Sequence, residues 1–476
     1  MTELLHSKGV RALREAIASG SVTIASAVQE AFDAAQRSQA QLHAFIYLPE
    51  APAVNHGIGE SPAHAPLAGV PVAVKDLIDT ADMPTALGSP AYAGRRPQRD
   101  AWVVQRLRAA GATVLGKTVT TEFAWRHPGA TTNPWHHGHT PGGSSSGSAA
   151  AVGAGIVPLA LGTQTYGSVI RPAAYCGVVG MKPTYGTIAR TGVLPLAGSL
   201  DHLGLFANSV GDIAYVLPLL AGTDDGDPHG FPAALDYPAA GSTTGSTSDA
   251  TSAASRPPQA ARGLAGGGHP RIGVLQQQIG GAIEPAQQQA LDALAARLKA
   301  DGAELVNVEL PGEMANAQGL AWTLVCVEAA LTHRELFDRS PEQVSAVMRE
   351  LIEEGRRIPA TDYANAKALQ VQMTTRFKRW FTASVGLDAL LVAPASGEAP
   401  QGLDYTGDAA FCAPWTLLGV PAINLPIGFG PAGLPLGAQL IGALGDDVAL
   451  LSLAAWVEAR TGWEHAVQAR GRKDGK

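Results

Sequence analysis

Three stretches of the chain hold residues whose types and spacing could do chemistry. Gly111-Ala112-Thr113-Val114-Leu115-Gly116-Lys117-Thr118 has the glycine–lysine–threonine spacing of a phosphate loop. Such a loop needs a strand before it and a helix opening at the Lys-Thr pair. The order here is reversed: 101–110 reads as a helix, Gly111 as its C-cap and 112–115 as the strand. Thr118, Val119, Thr120 and Thr121 are also poor helix formers, so nucleotide binding is set aside. Gly143-Ser144-Ser145-Ser146-Gly147 has the spacing of a nucleophile elbow, which would make Ser145 attack. An elbow sits at the sharp end of a strand, and residues 133–141, with Pro134, Pro141 and three histidines, do not form one. The histidines available to complete its triad downstream are few: His202, His229, His269, His333 and His465. The third stretch, His136, His137 and His139, looks like a metal tract. No Cys or acidic residue shares its spacing, so no metal is expected.

A different chemistry is spread over distant pieces. Leu67-Ala68-Gly69-Val70-Pro71-Val72-Ala73-Val74-Lys75-Asp76 reads as a buried strand ending at a lysine. Burial disfavours the ammonium, and only a neutral lysine can take a proton. A lysine snorkelling from the strand end, or paired with Asp76 or Asp79, fits the same residues. Downstream lie Gly142-Gly143-Ser144-Ser145-Ser146-Gly147-Ser148, running into Ala149-Ala150-Ala151-Val152 and an apolar strand at 156–161. Then comes Gly162-Thr163-Gln164-Thr165-Tyr166-Gly167-Ser168-Val169-Ile170-Arg171-Pro172-Ala173-Ala174. With Cys176-Gly177-Val178-Val179-Gly180-Met181-Lys182-Pro183-Thr184 and Leu418-Gly419-Val420-Pro421-Ala422-Ile423-Asn424-Leu425-Pro426-Ile427, these motifs resemble the amidase-signature family. The resemblance runs from about residue 9 to 462, except for 239–268.

The resemblance implies a serine hydrolase with a Ser–Ser–Lys set in place of Ser–His–Asp. Ser168 would attack, Ser144 would bridge it to Lys75, and the Gly143–Ser144 peptide bond would be cis. Backbone N–H groups of Thr165, Tyr166, Gly167 and Ser168 would form the oxyanion hole. The reaction implied is hydrolysis of a small amide, or of a carbamate (urethane), anilide or ester, through an acyl-enzyme and without a cofactor. Two rival readings stand beside it: an amidotransferase-type subunit working in a multi-chain complex, and a non-catalytic binding protein on the same scaffold. Gln164 stands where the commoner pattern has Asp, and Tyr166 where it has the first of two glycines. A tyrosine requires either an ordinary backbone there or a reshaped hole, and its ring would wall the pocket. Trp125, His127 and Tyr166 are the candidate pocket residues, with Trp135 a further aromatic; such rings serve a core equally well.

The elements that must position these groups alternate between helix and strand. Val10, Leu13 and Ile17, then Ile24, Val28, Phe32 and Ala35, recur at helical steps, with Gly20 and Ser21 separating two helices. Strands are expected at 178–181, 387–394 and 422–427, helices over 284–300, 314–384 and 447–461. This alternation predicts an α/β fold: a single large domain over 1–476, with a mixed β-sheet core flanked by α-helices. Its core motifs fall in 67–235 and 387–462 and its variable helical region in 284–384, of which the helices at 314–384 are expected to shape the leaving-group side. The stretch 239–268 is low in complexity and large apolar groups and reads as a mobile surface loop.

Composition agrees, with 46% apolar and 16% charged residues suiting a large core. The net charge of −7, with basic residues gathered only at Arg470, Arg472, Lys473 and Lys476, reads as a solvated tail and argues against a nucleic-acid partner. The first 21 residues lack the apolar run of a signal peptide. The longest apolar stretch, 149–161, is broken by Gly153, Gly155 and Pro158 and is too short to span a membrane. Cys176, Cys326 and Cys412 form no paired motif and read as reduced thiols of a cytoplasmic protein. A homodimer is compatible with the sequence.

Overall fold

In a computed structural model, which describes residues 5–54, 65–230, 269–275 and 279–474, the run that ends at Lys75 is a strand buried along its whole length. Burial on both faces is what its unbroken apolar character demands. It belongs to one eleven-stranded sheet. The strands are β1 (Phe45–Tyr47), β2 (Pro71–Lys75), β3 (Thr113–Thr118), β4 (Leu159–Gln164), β5 (Val179–Lys182) and β6 (His202–Ala207), then β7 (Arg271–Leu275), β8 (Glu304–Val308), β9 (Ala389–Val392), β10 (Ala422–Phe429) and β11 (Pro435–Ile441). Their order across the sheet is β1-β3-β2-β4-β6-β5-β10-β11-β9-β7-β8. The sheet is mixed: β2 runs parallel to β3 and β4, and β7 to β8 and β9, while the other neighbours are antiparallel.

Helices cover both faces: α1 (Gly9–Ala18), α2 (Ile24–Leu42), α3 (Trp102–Ala109), α4 (Ser146–Gly153), α5 (Ile170–Cys176), α6 (Val210–Leu220) and α7 (Pro285–Ala300). A helical layer follows, α8 (Ala317–Thr332), α9 (Arg334–Arg339), α10 (Ala346–Arg357) and α11 (Ala360–Arg379), and then α12 (Ala413–Leu417), α13 (Asp447–Glu458) and α14 (Trp463–Asp474). The whole is a single α/β domain with a mixed sheet flanked by helices, as the alternation predicts.

Several boundaries differ from the sequence reading, each for a local reason. β3 runs on to Thr118, so Lys117 and Thr118 lie inside a strand and not at a helix start. Ser146–Gly153 is a helix where the sequence suggests tight backbone leading directly into a strand, because Ala149–Ala151 are the strongest helix formers. Pro158 delays β4 to Leu159, and the strand continues through Gly162 and Thr163 to Gln164, up to the site. The helix expected at 447–461 stops at Glu458, and α14 follows it as a further helix that the periodicity does not predict. The low-complexity stretch 239–268 lies outside the described residues, as do the side chains of the basic tail. Among the described residues no helix is long and apolar enough to cross a membrane. The three cysteines are buried free thiols.

Candidate active site

Lys75 closes β2 with its side chain fully buried. Its Nζ lies 2.7 Å from Ser144 Oγ and 2.8 Å from Thr163 Oγ1. Burial pushes its pKa well below the ordinary lysine range, with the charge of Asp201 pulling the other way. Neither nearby acid neutralises it. Asp76 sits 3.2 Å from Lys117 Nζ, and Asp79 takes a bidentate grip from Arg95 at 2.7 and 2.9 Å. The snorkelling and ion-paired alternatives for Lys75 are thereby removed.

Ser144 precedes α4, and the Gly143–Ser144 peptide bond is cis. A Cβ on Gly147 would collide with the Ala44 carbonyl oxygen and the Val119 amide nitrogen, so glycine lets α4 press against the end of β3. Ser145, the elbow candidate, is fully buried. Its hydroxyl donates to Thr163 O at 3.2 Å and accepts from Thr163 N at 3.3 Å. It ties α4 to β4 and presents nothing to a ligand.

β4 delivers the chain into residues 164–168. Gln164 Oε1 accepts from Val169 N at 2.9 Å and Ile170 N at 3.0 Å, the role a carboxylate would fill at the start of α5. Its Nε2 donates to Thr416 Oγ1 at 2.9 Å, and that hydroxyl donates to Tyr166 O at 3.0 Å. The loop is held from both sides. Tyr166 has no positive φ, so its backbone is ordinary and needs no glycine. The backbone N–H groups of Thr165, Tyr166, Gly167 and Ser168 have no partner among the described residues, leaving four donors in a row. Thr165 Oγ1 donates to Asp201, which burial pushes up to about 6 against the pull of that bond.

A cavity of about 250 Å³ opens over these groups, lined by both Ser144 and Ser168. Trp125 and Tyr166 form part of its wall, with ring centroids 6.0 Å apart. His127 does not join them: it is exposed and lies outside the lining. Trp135 stands elsewhere, edge-to-face with Phe429 and Trp463 and donating to Cys176 O at 2.8 Å. Within the histidine tract, His139 bonds Ala399 O and His137 bonds Thr132 Oγ1, ordinary loop contacts. No cluster suited to a metal occurs among the described residues.

The sequence reading missed Arg126, Arg171, Tyr405 and Asp408 on the cavity wall, and Thr163 behind Lys75. Arg171 stands in a quoted motif three residues after Ser168, which places it within a helical turn of the site; Tyr405 and Asp408 carry no local signal. Chemically, the arrangement offers a proton acceptor, two hydroxyls and a row of free N–H donors around one small cavity. That is what addition to a carbonyl carbon requires.

Known proteins share this arrangement of chain. The family model "Amidase" matches residues 26–451. The chain is 34% identical to a glutamyl-tRNA(Gln) amidotransferase subunit of Chloroflexus aurantiacus (strain J-10-fl), over 97% of its own length and 98% of the relative's. Among solved structures, 6-aminohexanoate cyclic dimer hydrolase complexed with substrate superposes with a TM-score of 0.82 at 27% identity, over 96% of this chain and 98% of that one. The peptide amidase from Stenotrophomonas maltophilia superposes at 0.75 with 28% identity, over 95% and 96%.

Proposed function

Since the chain belongs to the amidase family, we propose that it hydrolyses the C–N bond of a small amide through an acyl-enzyme on Ser168. The observation that carries the reading is Lys75, wholly buried without a carboxylate and 2.7 Å from the Ser144 hydroxyl. Neutral Lys75 takes the Ser144 proton as Ser144 takes that of Ser168, and Ser168 Oγ bonds to the carbonyl carbon. The oxygen of the tetrahedral adduct, now negative, faces the free N–H groups of residues 165–168. When the C–N bond breaks, the proton returns by the same route to the departing nitrogen. Water then adds to the ester, Lys75 and Ser144 again carrying its proton, and the acid leaves with Ser168 restored. Carbamates, anilides and esters present the same carbonyl and fall within the same chemistry.

The curated relatives favour a second reading, in which this chain works as one component of an amidotransferase complex and the nitrogen it releases passes to a partner. Both readings share the acyl-enzyme and differ in whether the isolated chain suffices. The deciding experiment is intact mass after fluorophosphonate treatment for wild type and Ser168→Ala, with ammonia release from a panel of primary amides. One adduct and turnover in the isolated wild-type protein, both lost in Ser168→Ala, support hydrolysis. An adduct without turnover, with turnover appearing only when partner chains are added, supports the amidotransferase reading. No adduct at all revives a binding protein, and an adduct that moves to Ser145 overturns the nucleophile assignment in favour of the elbow.

A further inference from the structure

Where β4 and β6 part, side chains take over from the backbone. Their antiparallel ladder runs from Leu159 opposite Ala207 to Gln164 opposite His202. Thr165 and Asp201 come next, just beyond the strand ends, and both are buried. Thr165 Oγ1 donates to Asp201 Oδ1 at 2.5 Å. The other carboxylate oxygen, Oδ2, accepts from the N–H groups of Leu196 and Ala197 at 2.8 and 3.0 Å. Asp201 thus joins the serine loop to the 196–201 turn with one oxygen on each. The link runs through the Thr165 side chain, so the Thr165 N–H stays free for the oxyanion.

The turn is itself fixed from the helical layer. Glu328 of α8 accepts from Ser199 N at 2.8 Å, from the Ser199 hydroxyl, and from Tyr363 OH at 2.9 Å. Gln370 of α11 donates to Ser199 O at 3.3 Å and to Leu417 O at 3.0 Å, beside the Thr416 that braces Gln164 and Tyr166. One helix therefore ties together two supports of the same loop.

Asp201 also reaches the base, since its charge opposes the effect of burial on Lys75. Its other neighbours are engaged or neutral. Arg190 Nη1 donates to the Asp201 backbone oxygen at 2.9 Å, while Nε and Nη2 grip Asp227 at 3.0 and 2.9 Å. Burial favours the neutral forms of His202 and Tyr185, and Glu328 is held by Ser199 and Tyr363. We propose that Asp201 is a positioning residue for the attack: its two-sided grip aims the Thr165 N–H, and its negative charge steadies the ammonium that Lys75 becomes. The inference rests on Ser168 as nucleophile and Lys75 as base. Asparagine has nearly the same shape as Asp201 but is neutral and offers one oxygen in place of two, so it can serve only one side.

The test is the second-order rate at which a fluorophosphonate labels Ser168, followed by intact mass to its end point across pH. The end point counts folded sites, and the rate reads the hole and the base without a substrate having to be chosen. Asp201→Asn should label to one adduct but about tenfold more slowly, a smaller effect than losing a whole oxyanion donor. Its acid limb should move to lower pH, because the Lys75 ammonium has lost its counter-charge. Thr165→Val should also slow labelling, and Thr165→Ser should recover part of that loss. Wild-type rate and limb in Asp201→Asn overturn the proposal, and with a reduced end point they would leave Asp201 a folding role alone. Equal rates for Thr165→Val and Thr165→Ser overturn it as well. Failure of wild type to label removes the nucleophile and the proposal together, whereas normal labelling of every variant removes the proposal and leaves the nucleophile standing.

Discussion

Lys75 and Lys117 lie at the ends of neighbouring parallel strands, where Val74 pairs with Lys117 and Lys75 with Thr118. Both are fully buried. Lys117 has Asp76 at 3.2 Å and donates to Thr85 Oγ1 at 2.6 Å, so burial lowers its pKa while Asp76 raises it. Lys75 meets hydroxyl oxygens in place of a carboxylate, and burial dominates. One residue of register and one acid separate a cation that holds strands together from an amine that can accept a proton. Lys182 sharpens the contrast. Burial pushes it down to about 7, but it donates to the carbonyls of Val420 and Pro183, which have no proton to give. A lowered pKa becomes useful only where a hydroxyl stands at the nitrogen.

The contrast can be tested at each lysine. The largest effect is expected for Lys75→Met: kcat should fall by roughly 10²–10⁴, the usual contribution of a positioned base, while the fold survives. In wild type, kcat/KM should fall with decreasing pH through the lowered pKa of Lys75, since the ammonium cannot act. The same shift predicts a stability gain in Lys75→Met. A lysine whose folded pKa lies below its unfolded value penalises the native state increasingly as pH drops from the ordinary lysine range to the folded pKa, and fully below it. Chemical denaturation at two pH values reads this directly, and a loss of stability at neutral pH would break the comparison.

Lys117→Met should do the reverse. Stranding Asp76 in the interior should cost about 3–5 kcal/mol in denaturant unfolding, with kcat per folded molecule nearly unchanged. A collapse of kcat with stability intact would mean the two lysines have been assigned the wrong way round. The smallest effect is expected for Thr163→Val, which removes one acceptor worth about 1 kcal/mol. Because that hydroxyl favours the charged amine, its loss should lower the Lys75 pKa and move the acid limb of the pH–rate profile to lower pH. An unmoved limb would deny Thr163 any part in setting the base.

How far the sequence can be read follows the same physics. Lys75 and its strand are legible because an unbroken apolar run ending in a charge fits little besides the end of a buried strand. The positions of Ser144 and Ser168 come with the motif resemblance. The α4 segment is harder, because a run of small apolar residues carries neither period; the helix propensity of its alanines is its one local signal, and packing against α5 and β4 adds to it. His127 and Trp125 are two residues apart and look equivalent in sequence; the unusual backbone at Ala124 and Arg126 sends one ring inward and leaves the other in solvent. The support from Thr416 depends on a residue far along the chain, which no local pattern encodes.

That last support has a temporal side. Thr416 clamps Gln164 and the Tyr166 carbonyl from 252 and 250 positions downstream. At ribosomal rates of 5–20 residues per second, roughly 10–50 s of translation separate the serine loop from its brace. Contacts of such sequence separation are made late in folding. Through that interval a nascent chain can already contain Lys75, Ser144 and Ser168 and still lack the strut that fixes the attacking loop. The geometry of the loop is thereby tied to synthesis of the chain as far as Thr416.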